Sequence, residues 1–410
     1  MVKVAILGFG VVGSGVAEVL SGNGAGIQKK ADELIEVKYI LDVRDFPDSP
    51  FAQHFVKDFS VIEHDPEVNV VVETIGGVGA ALDFTERALK QGKSVVTSNK
   101  ELVATHGRRL LDLAAQNNAV YLFEASVGGG IPILRPLSEC MSANEILEIC
   151  GILNGTANYI FTRMVKDHVP FAEALAGAQA NGYAEQDPSA DVEGKDTCRK
   201  LCILSSIAYG WHLLPDQVPT TGITKITLAD EAYAAAAGRS LKLLGRSIAR
   251  EDGTICAYVE PHFVGNQDPL AGVEDVFNAI KVKGNAVGDV MFYGRGAGKL
   301  PTASAVVADV VDALKNGAQV HDSLFWQPAD PVDGMLTDPA PAAYYVRVAG
   351  IAPAVVEAIY GYGKVVDERY EGCAYFVERA DERALAEAAR KVEAVGGSVK
   401  LVLKRLPEEV

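Results

Sequence analysis

The first strongly patterned segment is Val2–Leu7, apolar except for Lys3, as befits a strand buried on both faces of a parallel sheet. Glycines follow at once, and then helical spacing through Val16, Val19 and Leu20. Val37–Val43, Val68–Val72, Ser94–Thr97 and Ala119–Phe123 are further apolar runs of strand length. Helical stretches at Ala80–Gln91 and Glu101–Asn117 lie between them. Strand and helix in alternation from residue 1 to about 135 predict a doubly wound α/β domain.

The pattern then changes. Ile146–Leu153, Thr254–Val264 and Val287–Tyr293 read as strands, and Phe171–Asn181 and Thr197–Tyr209 as helices. Residues 136–300 are therefore expected to form an α+β substrate and dimerisation domain. Thr302–Lys315 is a strongly apolar helix after the glycine-rich turn Gly294–Gly298, and is expected to return to the first domain over about 302–325. Pro328, Pro331, Pro339 and Pro341, with several aspartates, mark a linker at 326–342. Tyr344–Val348, Ala374–Glu378 and Ser398–Leu403 then read as strands, with helices at Ala352–Tyr360 and Glu382–Val395, giving a small α+β module over 343–410.

Charge and composition narrow the classes. The 38 Lys and Arg stand against 54 Asp and Glu, a formal charge of −16 that repels nucleic acid and anionic lipid. Any anionic cofactor must be held by backbone dipoles and a few placed cations. Cys140, Cys150, Cys198, Cys202, Cys256 and Cys373 form no CxxC pair, and read as reduced thiols of a cytoplasmic protein. A core strand starts within a few residues of Met1, with no basic n-region and no long apolar run.

Gly8-Phe9-Gly10-Val11-Val12-Gly13 is a full GxGxxG between a strand and a helix, the context of a dinucleotide-binding loop. Gly8 permits the tight turn, Gly10 lets the backbone approach a pyrophosphate, and Gly13 lets helix and strand pack closely. The helix N-terminus supplies N–H donors and a positive dipole end. At the end of the second strand stand Asp42 and Arg44, alternate positions expected to point the same way. An acid there accepts from a ribose hydroxyl, whereas a guanidinium pairs with a 2′-phosphate. Arg44 leans the reading towards NADP over NAD; a plain ion pair between Arg44 and an aspartate is the competing reading.

Asp196 and Lys200, four apart at the start of a helix, share one face. Leu201, Ile203 and Leu204 follow, so most of that helix should be buried, and Glu185, Asp187 and Asp191 lead into it. Several acids beside one lysine can hold an ammonium ligand and keep the lysine protonated. Lys100 ends a strand of the first domain, where ligands of doubly wound sheets bind. Gly128-Gly129-Gly130, between Glu124 and Pro132, can bring carbonyls together on a hard cation. His64, His106, His168, His212, His262 and His321 show no metal-ligand spacing and read as structural or surface.

Taken in order, GFGVVGSG at Gly8–Gly15, ETIGG at Glu73–Gly77, TSNK at Thr97–Lys100, VATHG at Val103–Gly107 and EASVGGGIP at Glu124–Pro132 resemble homoserine dehydrogenases. The likeness continues through NGTANYI at Asn154–Ile160, NGYAEQDP at Asn181–Pro188, DVEGKDTCRKL at Asp191–Leu201 and GRGAGKLPTA at Gly294–Ala303. It covers residues 1 to about 325. It implies an NAD(P)-dependent oxidoreductase of threonine and methionine biosynthesis, interconverting L-aspartate 4-semialdehyde and L-homoserine. It implies that Phe9, Val11, Val12, Arg44, Thr74, Ser98 and Lys100 line the cofactor site. Glu124, Val127, Gly129 and Ile131 would offer backbone carbonyls to a structural sodium ion. Asn154, Thr156, Glu185, Asp191 and Asp196 would hold the substrate, and Lys200 would donate the proton, with Lys100 assisting. A homodimer or homotetramer is expected, with no aspartate kinase fused ahead of the first strand.

The terminal module resembles an ACT domain, a class that commonly binds amino acids. Its first turn, Ala349-Gly350-Ile351-Ala352-Pro353, replaces the Asp-x-Pro-Gly expected there, so threonine inhibition should be weak or absent and a subunit-pairing role is the alternative. Three other readings compete. An acylating semialdehyde dehydrogenase needs a nucleophilic cysteine at a helix start with a histidine partner, and neither Cys140 nor Cys150 has that setting. A nucleotide-sensing regulator on a Rossmann scaffold would have no use for Glu185, Asp196 and Lys200. Another amino-acid semialdehyde reductase is the third.

Overall fold

The computed structural model describes residues 1–317, 326, 341–361 and 373–407. Most of the expected linker, His321 and the end of the expected return helix lie outside the described residues. The chain forms two compact units, and it passes between them more than once.

The first unit holds 1–146, 199–217 and 283–317 of the described chain. Its strands are β1 (Val2–Leu7), β2 (Ile35–Leu41), β3 (Phe55–Val56), β4 (Val68–Glu73), β5 (Ser94–Thr97) and β6 (Tyr121–Leu122). They form one parallel sheet in the order β3-β2-β1-β4-β5-β6. That is the doubly wound order, whose direction of winding reverses between β1 and β4. Ligands of such sheets lie beyond the C-terminal ends of the strands at this reversal, and here Gly8 and Thr74 follow those two strands directly. Helices α1 (Val11–Gly22), α2 (Gly24–Ala31), α3 (Ser60–Glu63), α4 (Gly79–Lys90) and α5 (Lys100–Gln116) connect the strands.

The core explains the apolar runs. Val4, Ile6, Val70, Val72 and Val96 form one buried cluster with Val16 and Leu20 of α1. The cluster also takes in Ala303, Val306 and Val310 of a late helix, α11 (Lys299–Asn316). The two helices meet at Gly15. A Cβ there would lie 2.8 Å from the Lys299 carbonyl oxygen and 3.1 Å from Ala303 Cβ, so only glycine permits this approach. Strand β11 (Gly288–Arg295) precedes α11.

The second unit holds 147–198, 218–282 and the described residues from 341 onward. It contains β7 (Ile146–Ile152), α6 (Gly155–Asp167), α7 (Phe171–Ala180), α8 (Ser189–Val192) and the first turn of α9 (Lys195–Tyr209). Then come α10 (Leu228–Ala236), β8 (Arg239–Ala249), β9 (Ile255–Gly265) and β10 (Phe277–Gly284). The terminal module adds β12 (Ala342–Ala349), α12 (Pro353–Tyr360), β13 (Cys373–Ala380), α13 (Glu382–Ala394) and β14 (Ser398–Arg405). The strands run in the order β10-β7-β8-β9-β14-β12-β13. The module therefore continues the sheet: β14 lies parallel to β9, with Lys404 opposite His262 and Arg405 opposite Phe263.

Two buried ion pairs fasten that continuation. Lys404 Nζ sits 2.5 Å from Glu260 Oε1 of β9 and 4.1 Å from the centre of the Tyr258 ring. Arg347 of β12 donates to both oxygens of Asp230 in the first turn of α10, at 2.8 and 3.2 Å, and Asp230 is fully buried.

Candidate active site

The glycine loop is built by steric necessity. Gly8 has φ +89°, and a Cβ on it would meet the Thr74 carbonyl oxygen at 2.9 Å. A Cβ on Gly13 would lie 1.9 Å from the Gly8 carbonyl oxygen. A Cβ on Gly10 would meet nothing within 4 Å, so Gly10 faces the open space above the helix start. Thr74 closes the loop from β4, its hydroxyl donating to the carbonyls of Leu7 and Gly8 at 2.9 Å each. Val11 is exposed, while Phe9 and Val12 are half-buried against the core.

Strand β2 ends at Leu41 rather than at Val43, so Asp42 and Arg44 are not strand neighbours. The cause is Asp42 itself, whose carboxylate accepts from the Arg44 N–H at 2.9 Å and turns the chain. The same carboxylate accepts from Phe9 N–H at 2.7 Å and from Arg44 Nε and Nη2 at 3.0 and 2.9 Å. The Arg44 guanidinium thus holds Asp42 well below the usual carboxylate range. The guanidinium also lies 5.1 Å from the centre of the Phe46 ring. Lys57, not singled out in the sequence, staples this turn through the carbonyls of Asp42, Val43 and Arg44.

At the ends of β4 and β5 a buried chain of hydrogen bonds sets the next helix. Glu73, fully buried, accepts from Thr97 Oγ1 at 2.7 Å and from Ile75 N–H at 2.7 Å, and burial raises its pKa. Thr97 Oγ1 accepts in turn from Asn99 N–H. The Asn99 side chain caps α5 at Leu102 N–H and donates to the Gly77 carbonyl at 2.6 Å. Ser98 and Lys100, both half-buried, stand on either side of this cap.

In the second unit Asn154 plays two parts. Its Oδ1 caps α6 by accepting from Ala157 N–H at 2.7 Å. Its Nδ2 donates to Asp191 Oδ1 at 2.6 Å and Asp196 Oδ2 at 2.9 Å. One amide thus gathers two carboxylates, from α8 and from the first turn of α9. Thr156 donates to the Tyr183 carbonyl at 2.7 Å. Glu185 is exposed, and its backbone carbonyl accepts from Gln179 Nε2 at 3.0 Å. Asp196 and Lys200 are 3% and 7% exposed, one turn apart on α9, and Leu201, Ile203 and Leu204 are fully buried. That degree of burial is unusual for an ordinary surface pair.

Glu124 is also buried, but its side chain is committed: its carboxylate accepts from the N–H groups of Ile133, Leu134 and Arg135 at 2.7, 2.8 and 2.9 Å. Asp309 of α11 accepts from Glu124 N–H and Arg135 Nη2, and burial pushes it up to about 8 against the pull of Arg135. Gly128 and Gly129 have φ +70° and +56°, and a Cβ on Gly129 would lie 2.5 Å from the Gly296 carbonyl oxygen. Val127, Gly129 and Ile131 are buried around this turn. Any cation here would therefore take backbone carbonyls, not the Glu124 carboxylate. Among the described residues no three His, Cys, Asp or Glu side chains group as metal ligands. Cys150 is fully buried, which pushes its thiol up to about 12 and removes it as a nucleophile for acylation.

Comparison with known proteins joins these parts. A family model described as homoserine dehydrogenase, NAD binding domain, matches residues 8–124, and one described as homoserine dehydrogenase matches 132–311. Sheet order, glycine loop and first match together define a nicotinamide-dependent oxidoreductase. A homoserine dehydrogenase of Bacillus subtilis is 41% identical over 77% of this chain and 73% of its own. The crystal structure of one from Thiobacillus denitrificans superposes with a TM-score of 0.91 at 33% identity, covering 99% of this chain and 98% of the other. A hyperthermophilic archaeal homoserine dehydrogenase mutant in complex with NADPH superposes with a TM-score of 0.63 at 27% identity, over 76% and 97% of the two chains. The chain belongs to the homoserine dehydrogenase family. The expected fold class, a Rossmann domain with a further mixed-sheet unit, and the expected oxidoreductase activity both hold. The regulatory and acylating alternatives are not favoured.

Proposed function

We propose that Lys200 donates the proton in the interconversion of L-aspartate 4-semialdehyde and L-homoserine, and that Asn154, Asp191 and Asp196 hold the substrate ammonium. The observation that carries this reading is the Asn154 amide drawing two carboxylates together at the head of α9, with a buried lysine one turn along. Two clustered carboxylates suit an ammonium group. The nicotinamide, when bound, supplies the hydride that forms the new C–H bond. As charge grows on the aldehyde oxygen, a Lys200 N–H stabilises it and transfers its proton there, giving the alcohol. The lysine amine then regains a proton from water. Lys100 supports the developing charge, Thr156 shapes the site through Tyr183, and Glu185 adds an acid at its exposed edge.

The cofactor is read as NADP in preference to NAD, with Arg44 on the 2′-phosphate once it leaves Asp42. Gly8, Gly10, Gly13, Phe9, Val11, Val12, Thr74 and Ser98 complete its site. A sodium ion would rest on the carbonyls of Glu124, Val127, Gly129 and Ile131, a hard-donor set that the positive-φ glycines make feasible. The acidic charge and free thiols suit the cytoplasm, a homodimer or homotetramer is the proposed assembly, and the ACT-like module is read as a pairing element with weak or no response to threonine. No helix of the described residues is long and apolar enough to cross a membrane.

Lys200→Ala tests the central assignment. The rate of homoserine oxidation, followed at the reduced-nicotinamide band, is expected to fall by about 10²–10⁴, with cofactor affinity unchanged. A variant that keeps most of its kcat removes Lys200 from the mechanism.

A further inference from the structure

We propose that the ion pair between Arg199 and Glu101 is a positioning device that holds Lys200 of α9 in working register against the start of α5. The inference rests on the reading of Lys200 as proton donor. Arg199 Nη2 donates to Glu101 Oε1 at 2.9 Å, and the two side chains are only 25% and 35% exposed. The pair is not the local i,i+4 kind that decorates a helix face. It ties α9, just after the chain enters the first unit, to the first turn of α5.

Each partner is the immediate neighbour of a site lysine: Glu101 follows Lys100, and Arg199 precedes Lys200. Glu101 is also rigidly placed. The cap at Asn99 fixes the first turn of α5, and Asn99 is rooted through Thr97 in buried Glu73. On α9 the pair therefore acts against a fixed point.

A second tie lies further along the same two segments. His212, just past the end of α9, pairs through Nε2 with the Ala104 carbonyl of α5 at 3.0 Å, and its ring packs edge-on against Trp326. The His212 tie sits at one end of this stretch and the Arg199 tie at the other. With both, rotation and sliding of α9 on α5 are fixed. With the His212 tie alone, the end bearing Lys200 can shift. Displacements of about 1 Å at reacting groups cost about 10²-fold in rate. Stability needs the pair much less, because the faces beneath it are already apolar and buried, with Leu102 and Val103 on α5 and Leu201 and Ile203 on α9.

The test is a set of variants in the full-length enzyme: Arg199→Met, Glu101→Gln, Arg199→Lys, Lys200→Ala, and Arg199→Met combined with Lys200→Ala. Single-turnover hydride transfer, KM for each substrate and thermal midpoint are measured. Arg199→Met and Glu101→Gln are each expected to lower hydride transfer about tenfold or more, with the cofactor KM and the thermal midpoint nearly unchanged. Arg199→Lys should restore part of the rate. In the Lys200→Ala background, Arg199→Met should cost nothing further, since Lys100 is placed by the Asn99 cap and no lysine is left on α9 to place. Unchanged rates in the single variants, with Lys200→Ala impaired, overturn the positioning role and leave the donor assignment standing. An equal further loss in the Lys200→Ala background also overturns it, by showing that Arg199 acts independently. If Lys200→Ala retains its rate, the donor assignment fails, and the positioning role fails with it.

Discussion

Asn154 donates to Asp196 across 2.9 Å with the same amide whose oxygen starts helix α6. Helix start and acid cluster are thus coupled through one side chain, and the two roles can be separated. Asn154→Ser keeps a capping oxygen but loses the amide donors, whereas Asn154→Ala loses both. Asn154→Ala should cost about 1 kcal/mol of stability from the cap, and Asn154→Ser little. Both should raise KM for homoserine about tenfold or more, because Asp191 and Asp196 are no longer drawn together. Urea unfolding and steady-state kinetics on the pair give the two readouts, and a normal KM in Asn154→Ser would place the amide outside substrate binding.

Arg44→Ala should raise KM for NADP by about 10- to 100-fold, the worth of a charged hydrogen bond to phosphate. KM for NAD should hold steady or fall, since Asp42 is freed to accept from a ribose hydroxyl. Equal changes for both cofactors would mean that Arg44 serves only the turn it now closes.

Two glycines of the loop should fail differently. Gly13→Ala forces a carbon against the Gly8 carbonyl, so both thermal stability and cofactor binding should drop. Gly10→Ala meets no protein atom, so the thermal midpoint should stay put. Binding of NADPH, read by nicotinamide fluorescence, should still weaken by about tenfold or more, because the methyl group occupies the approach of the pyrophosphate. Normal affinity in Gly10→Ala would show that the phosphates pass elsewhere.

His262 should make the protein acid-sensitive. The ring is fully buried, and burial pushes its pKa down to about 3. Below about pH 6.5 the unfolded chain takes up a proton there that the folded chain refuses, so stability falls as pH falls. Each unit of pH costs about 1.4 kcal/mol on account of this ring, or about 2 kcal/mol between pH 7 and pH 5. His262→Gln should flatten that slope. Urea midpoints at the two pH values decide it, and an unchanged slope would count against the buried neutral ring.

The Rossmann half was legible because its strands are buried on both faces and separated by amphipathic helices, so apolar runs mark them directly. Strand β1 and strand β5 fall on the residues expected, Val2–Leu7 and Ser94–Thr97. The mixed-sheet unit was harder. Strand β10 buries Asn278 and Lys281, which break the apolar pattern, and β8 buries Lys242 and is interrupted by Gly245, so neither shows clean alternation. Helix α6 opens with Asn154-Gly155-Thr156, which reads as a turn until the cap is seen. At the candidate site, motif order pointed to the residues but not to their partners. Nothing in the local sequence couples Asn154 to Asp191, Glu101 to Arg199, or Lys57 to the turn at Asp42, since each pair is far apart along the chain.

Strand β14 closes against β9 at its last residues, where Leu406 N–H also bonds to the Phe263 carbonyl at 3.0 Å. On the ribosome, β9 emerges long before β14 exists. Until β14 has emerged, the nascent chain carries an apolar strand whose edge at His262 and Phe263 still awaits its neighbour, the kind of surface that invites pairing with other chains. A premature stop anywhere in the terminal module would leave that edge open for good. For this chain, the codons of β14 decide whether the sheet is finished or remains available for aggregation.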